Sequence, residues 1–348
     1  MNLDTPTTSA VGQLTLLALR GVGPATAQRL AEAYPTLRQI HESSPSALAR
    51  HVPTQARASL VDKAGWQAAY SQAIATLEKA SAQGVRILSF AEPEYPLFLK
   101  GIADKPAVLY VKGTLPADHR SIACIGTREP SVFGTEVAKR LSSFLASRGW
   151  SIVSGLALGV DALSHQAALD AKGHTVAVLA NGLDSVYPKK NAHLAADILA
   201  RGGALVSEQP FGAPAVSRNL VQRDRLQSGM SVGIIVMQTD IVGGSMHTVR
   251  FCLSQGRRVW APLPPEGVHR EEPKSQGIVA LCLRTGRELV RQLGAEPEYA
   301  ALLERDYATK PPATPIRNRD EYEPLLSDLE QAAKHLWENI LKSGNRSA

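Results

Sequence analysis

Six apolar runs, each closed by a glycine or a polar turn, constrain this chain more than any other feature. They are Ile122–Gly126, Ser151–Gly155, Thr175–Ala180, Ala204–Val206, Gly233–Met237 and Arg258–Ala261. Between them lie segments long enough for helices, with Glu136–Arg148 and Val160–Lys172 the clearest. A strand that is apolar without alternation must be covered on both faces, which is the condition of a parallel, doubly wound sheet. Right-handed crossovers then place helices on both sides. The expected fold is α/β: an extended Rossmann-like, mostly parallel sheet, with Val85–Leu88 supplying an earlier strand and Pro106–Val111 leading to a turn at Lys112-Gly113.

Outside this rhythm the pattern changes. Residues 1–82 read as a small helical domain, 83–295 as the Rossmann-like domain, and 296–348 as a linker followed by a C-terminal helix. In the first region Leu14, Leu17, Ala27, Leu30 and Ala33 mark helical faces, broken at Gly21-Val22-Gly23-Pro24. That turn has the form of a helix-hairpin-helix, whose free amides can face a phosphate, or simply of a tight turn between packed helices. In the last region Lys310–Pro315 reads as a stiff, exposed linker. Leu325, Leu329, Ala332, Leu336 and Ile340 then recur at helical spacing, so that helix should dock on the body or on a partner.

Composition excludes several classes. A hydrophobic fraction of 44% rules out disorder over most of the 348 residues. No apolar run reaches the roughly 20 residues of a membrane span, and Met1–Ala10 lacks the features of a secretory signal. Cys124, Cys252 and Cys282 are far apart without metal spacing, as expected for core thiols in a reducing cytoplasm. A net charge of +6 permits a polyanionic partner without proving one.

In a doubly wound sheet, ligands bind at the carboxyl ends of the strands where the order reverses. Those ends carry Gly126-Thr127-Arg128, Ser154-Gly155, Lys189-Lys190, the Arg223-Asp224-Arg225 segment and Gly243-Gly244-Ser245. Glycines allow close backbone approach, helix-start amides hold phosphate oxygens, and Arg or Lys neutralise the charge. The set should hold an anion. No Gly-x-Gly-x-x-Gly follows the first run and no Walker sequence is present, so the dinucleotide and P-loop readings fail. Ser154, Asp161 and His165 suggest a triad, but the flanking Ile152 and Leu156 replace the glycines of a nucleophile elbow. No catalytic set, metal site or cofactor is expected.

These residues carry a resemblance. Ile125-Gly126-Thr127-Arg128, Ser154-Gly155-Leu156-Ala157, Gly159-Val160-Asp161, Asn181-Gly182-Leu183-Asp184, Tyr187-Pro188 and Arg223–Ser231 occur in the order found in the DprA/Smf DNA-processing family. The match runs from about Val85 to Leu293. It implies a domain that binds single-stranded DNA, acts in recombination or natural transformation, forms a homodimer and helps to load a RecA-type recombinase in the cytoplasm. By the same resemblance, Gly126, Thr127, Arg128, Gly155, Lys189, Lys190, Arg223 and Arg225 line the phosphate pocket. Asp224 departs from the family's usual Asn, and Gln238-Thr239 from its usual Glu-Ala. Asp224 either pairs with Arg223 and Arg225 and holds their guanidinium groups, which is the favoured expectation, or repels a phosphate that Asn would tolerate. The alternative is a sensor or enzyme for a nucleotide-derived small ligand, suggested by Gly243-Gly244-Ser245; a third reading is a structural module whose glycines serve turns alone.

Overall fold

A computed structural model describes residues 1–344, which form two compact units. The first comprises residues 1–95 and 104–112; the second comprises 96–103 and everything from 113 onward. In the first unit, helices Ala10–Ala18, Pro24–Ala33, Leu37–Glu42, Thr54–Val61 and Lys63–Ala82 enclose Leu16, Leu19, Leu30, Ile40 and Trp66. Gly21 sits at φ +82°, where a Cβ would lie 2.8 Å from the Gln55 carbonyl oxygen, so the turn needs glycine there. Strands β1 (Val85–Ser89) and β2 (Val108–Gly113) pair antiparallel, with Val85 opposite Lys112.

The second unit is built on β3 (Ser121–Gly126), β4 (Ser151–Ser154), β5 (Thr175–Val178), β6 (Ala204–Ser207), β7 (Gly233–Gln238) and β8 (Arg258–Pro262). A further strand, β9 (Ala313–Ile316), lies beside β8. The order is β6-β5-β4-β3-β7-β8-β9, with every pairing parallel. The chain enters at the centre, winds outward to β6, then returns to place β7 on the other side of β3. The reversal between β3 and β7 is the switch point. All residues of β4, β5, β6 and β7 are buried, as their continuous apolar runs require.

One expectation needs correction. Lys310–Pro315, read as an exposed linker, instead leads into β9, where Ala313 and Ile316 are buried and Pro315 lies opposite Ala261. Proline breaks a central strand because it lacks a ladder donor, but an edge strand has one side free of partners and accommodates it. The C-terminal helix Tyr322–Gly344 packs on this same body. Leu325, Leu329 and Ala332 join the core that contains Ile316, Trp150 and Trp260. The indole of Trp260 donates to Asp328 at 2.8 Å, and Arg258 pairs with the same carboxylate. Among the described residues, no helix is long and apolar enough to cross a membrane.

Because Leu329 is fully buried, Leu329→Ala should cost about 2–5 kcal/mol of stability. Chemical denaturation of the full chain checks this; a loss below about 0.5 kcal/mol would mean that the helix does not belong to the folding unit.

Candidate functional site

At the switch point a cleft of about 470 Å3 opens between the carboxyl ends of β3 and β7. One wall is Gly126-Thr127-Arg128, and the opposite wall is Gly243-Gly244-Ser245. The Thr127 amide donates to the Gln238 carbonyl at 2.8 Å, tying the two strand ends together. A Cβ at Gly126 would lie 2.7 Å from the Val160 side chain and 2.8 Å from the Gln238 oxygen, so glycine is required by contact. Ser245 begins the helix Ser245–Ser254, whose Met246 and His247 amides are engaged by the Gly243 and Gly244 carbonyls at 2.9 and 3.1 Å. Arg128 is exposed at the mouth and makes no ion pair or hydrogen bond through its side chain among the described residues.

Beneath the cleft lies a buried charge cluster. The Arg223 guanidinium donates from Nη1 to the Val178 carbonyl at 3.1 Å. It stands 4.0 Å from Asp161, and its Nε is 3.2 Å from Asp224. Gly155 lies flat against it: a Cβ there would come within 1.3 Å of Nη1. Asp161 in turn accepts from the Gly155 and Ala157 amides at 3.1 and 3.2 Å. Asn191 donates to the carbonyls of Leu156 and Ala157 at 2.8 and 3.2 Å, closing the other side of this turn. Leu156 is buried at φ +59°, an unfavourable conformation for a leucine that these bonds hold in place.

Burial dominates the titration of this cluster. It pushes the Asp161 carboxyl up against the opposing effects of Arg223 and the turn amides. It raises Asp224 to about 6, again opposed by Arg223 and reinforced by the nearby Asp161 charge. His165 falls to about 3 through burial and the Arg223 charge, so its ring is neutral at physiological pH. That ring bonds the Thr175 hydroxyl at 2.7 Å, while the Ser154 hydroxyl donates to the Cys124 carbonyl. Ser154, Asp161 and His165 thus serve three different backbone and packing roles, and they do not form a triad.

The remaining residues separate. Gly155 lines a smaller pocket adjoining the cleft, together with Arg128, Leu158, Tyr187, Leu220 and Arg223. Lys189 and Lys190 are exposed on a short 3-10 turn outside the cleft lining. Arg225 is buried against Glu208 and does not line the cleft either. Asp224 pairs with Arg223, and Arg225 is engaged by Glu208. The lining also brings Lys274 and the acidic side chains of Glu129 and Asp240 to the cleft, contributions that local sequence did not suggest. Gln238 was likewise missed. Its side chain accepts from the Ser131 amide at 2.9 Å and donates to the Ser131 and Ser275 hydroxyls at 2.8 and 3.1 Å. The signal was available in its position, a buried amide at the end of the strand facing β3.

A profile of the DNA recombination-mediator protein A family matches residues 86–293, which takes in both walls of the cleft. The chain belongs to the DprA/Smf family. It is 41% identical over 181 residues to DNA processing protein DprA of Bacillus subtilis, covering 51% of this chain and 61% of that protein. It is also 41% identical over 184 residues to protein Smf of Escherichia coli, covering 53% and 48% respectively. The chain thus matches about half to three-fifths of these relatives' length. The X-ray structure of DprA from Streptococcus pneumoniae superimposes with a TM-score of 0.63 at 25% identity, covering 78% of this chain and 92% of that one.

In this DprA/Smf chain, Arg223 keeps the Val178 carbonyl and Asp161 as partners when Asp224 is neutral, so the Asp224 charge is one of its holds and not the sole one. Because Asp224 lines the cleft, its ionised form would repel an anion placed there. Asp224 holds a proton below about 6 and is charged above it, so affinity for a phosphodiester should rise as pH falls through that value. Asp224→Asn should keep the tighter binding at neutral pH, a gain of severalfold corresponding to ~1 kcal/mol. Titration calorimetry with a phosphodiester, whose own charge is constant in this range, checks both; weaker binding by the variant would restore the pairing role.

Proposed function

We propose that this chain binds single-stranded DNA at the carboxyl edge of its sheet and acts as a mediator in DNA processing and recombination. The observation that carries the reading is the convergence of the Gly126–Arg128 turn and the Gly243–Ser245 helix start on one cleft. Arg128 stands at its mouth without a side-chain partner among the described residues. Backbone amides and an unengaged guanidinium recognise phosphate without reading base sequence. Membership of the DprA/Smf family gives this chemistry its substrate class. In this reading Gly126, Thr127, Arg128, Gly243, Gly244 and Ser245 contact the phosphate chain, Lys189 and Lys190 supply charge outside the cleft, and Arg223 with Gly155 shapes the floor. Ser154 and Arg225 support the scaffold. The partners are a second copy of the chain and a RecA-type recombinase, and the setting is the cytoplasm.

Arg128→Ala should weaken binding of a short single strand about ten- to a hundredfold, the loss of one charge-assisted phosphate contact. Fluorescence anisotropy over a range of salt concentrations checks this, and the salt slope should fall by about one. Binding within twofold of the parent would remove Arg128 from the site. A mononucleotide that competed as strongly as the strand would transfer the cleft to a small ligand. Light scattering at micromolar concentration should give the mass of a dimer; a monomer alone would count against self-association.

A further inference from the structure

A second cavity, of about 160 Å3, opens where β8 and β9 end, and it shares no lining residue with the cleft. Phe133, Val137 and Arg140 reach it from one face of the helix Val132–Ser147, at the three- and four-residue spacing that stacks side chains along a helix. Leu263 enters from the end of β8, where its amide donates to the Ile316 carbonyl at 2.9 Å. Beyond β9 the chain turns through Arg317, Asn318 and Arg319 into the C-terminal helix, which Tyr322 opens. Two bonds fix that turn: the Arg317 amide donates to Glu321 at 2.7 Å, and the Asn318 side chain accepts from the Asp320 amide at 2.9 Å. The turn lies outside residues 86–293, the stretch that the family profile matches.

Arginines on a surface are ordinarily solvated. Here Arg140, Arg317 and Arg319 converge on one cavity, whose lining carries a single carboxylate, Glu136, among the described residues. Glu136 pairs with Arg140 at 2.9 Å, and Glu321 pairs with Arg317 at 3.1 Å. Both are i,i+4 pairs between solvent-accessible groups, which are weak and leave the guanidinium able to take a stronger anion. Arg319 makes no ion pair or hydrogen bond through its side chain among the described residues, and the Tyr322 hydroxyl makes no hydrogen bond there either. Burial raises the Tyr322 phenol while Arg319 and Arg140 pull it down, so both charges act on that one hydroxyl. The Tyr322 ring is held 5.0 Å from the Phe144 ring, and Phe133 stacks on His269 at 5.7 Å, so both aromatic walls are fixed.

We propose that this cavity is a second anion site, built for the phosphate of a nucleoside monophosphate. Arg319 and Arg140 hold the phosphate oxygens, the Tyr322 hydroxyl donates to one of them, and Phe133 with Leu263 gives the base an apolar shelf. A phosphomonoester near neutral pH is a dianion with three terminal oxygens, and guanidinium forks beside a phenol supply matching donors. The internal phosphates of a strand are monoanionic diesters with two, so the cavity and the cleft select different forms of phosphate. A carboxylate, with one charge and two oxygens, would leave donors unused. The terminal phosphate of a nucleic-acid strand carries the same dianion and is a second source that the test separates. The inference stands apart from the single-strand reading, because the two sites have no residue in common.

Titration calorimetry of the full chain with adenosine 5′-monophosphate, ribose 5-phosphate and adenosine, at one pH and salt concentration, tests it. The nucleotide should bind, the sugar phosphate severalfold more weakly, and adenosine least. Arg319→Ala should weaken nucleotide binding about ten- to a hundredfold, and Tyr322→Phe, which keeps the ring, severalfold. Both variants should bind a 5′-hydroxyl oligothymidylate within twofold of the parent, and a saturating amount of that strand should leave nucleotide binding unchanged. Comparing 5′-phosphorylated with 5′-hydroxyl strands identifies the source. Extra affinity that Arg319→Ala removes supports a strand end in the cavity, and its absence supports a free nucleotide. No nucleotide binding at millimolar concentration would overturn the site. So would nucleotide binding that Arg319→Ala leaves unchanged, or that the 5′-hydroxyl strand displaces, since the ligand would then belong to the cleft. Equal affinity for nucleotide and sugar phosphate would overturn the nucleoside assignment.

Discussion

The buried Arg223 guanidinium is the interaction on which the site depends. A charge at this depth is tolerated because Val178, Asp161 and Asp224 surround it, and removal of a partner from such a cluster is costly. Its position dictates the neighbouring chain. Gly155 has no side chain because Arg223 occupies the space where one would be. Asp161 faces Arg223 with the same carboxylate oxygen that gathers the Gly155 and Ala157 amides. The strained Leu156 turn follows from that arrangement, and Asn191 secures it from the far side.

A second tie fixes the two walls. Gln238 ends β7 and reaches the loop after β3 through Ser131, and the Gly277 backbone carries its own bond to the Thr239 carbonyl at 2.9 Å. A Cβ at Gly134 would meet the Gln238 side chain at 2.1 Å, so the helix following β3 approaches this amide closely. A neutral amide suits the position. Glu272 lies 3.2 Å from its nitrogen, and a second carboxylate there would repel it. Glutamine at position 238 is therefore matched by the groups around it.

The cleft is consequently a mixed electrostatic surface. Asp161 and Asp224 sit at its floor with carboxyls shifted upward by burial, while Arg128 is exposed at its mouth and Lys189 and Lys190 are exposed outside its lining. In the proposed reading, attraction for a polyanion would come from the rim, where the charges are exposed to solvent. Geometry at the floor supplies shape and close backbone approach. This division suits a ligand long enough to touch both, and it makes phosphate contact strongly dependent on salt.

The sequence by itself determined the layered α/β fold, because unbroken apolar strands have no alternative to burial on both faces. It also determined the glycine turns and the basic residues at the strand ends, which local chemistry identifies without coordinates. What each of those residues does was decided by the tertiary structure. Arg223 and Arg225 are two positions apart on one helix, yet one packs under the cleft and the other turns to Glu208. Pro311, Pro312 and Pro315 signal a linker in sequence, but the free side of β8 makes room for an edge strand there. The cleft joins residues scattered over more than a hundred positions, from Ile125 to Lys274, because parallel strands deliver their following loops to the same edge. Side-chain partners are chosen by distance in three dimensions, and strand order sets those distances.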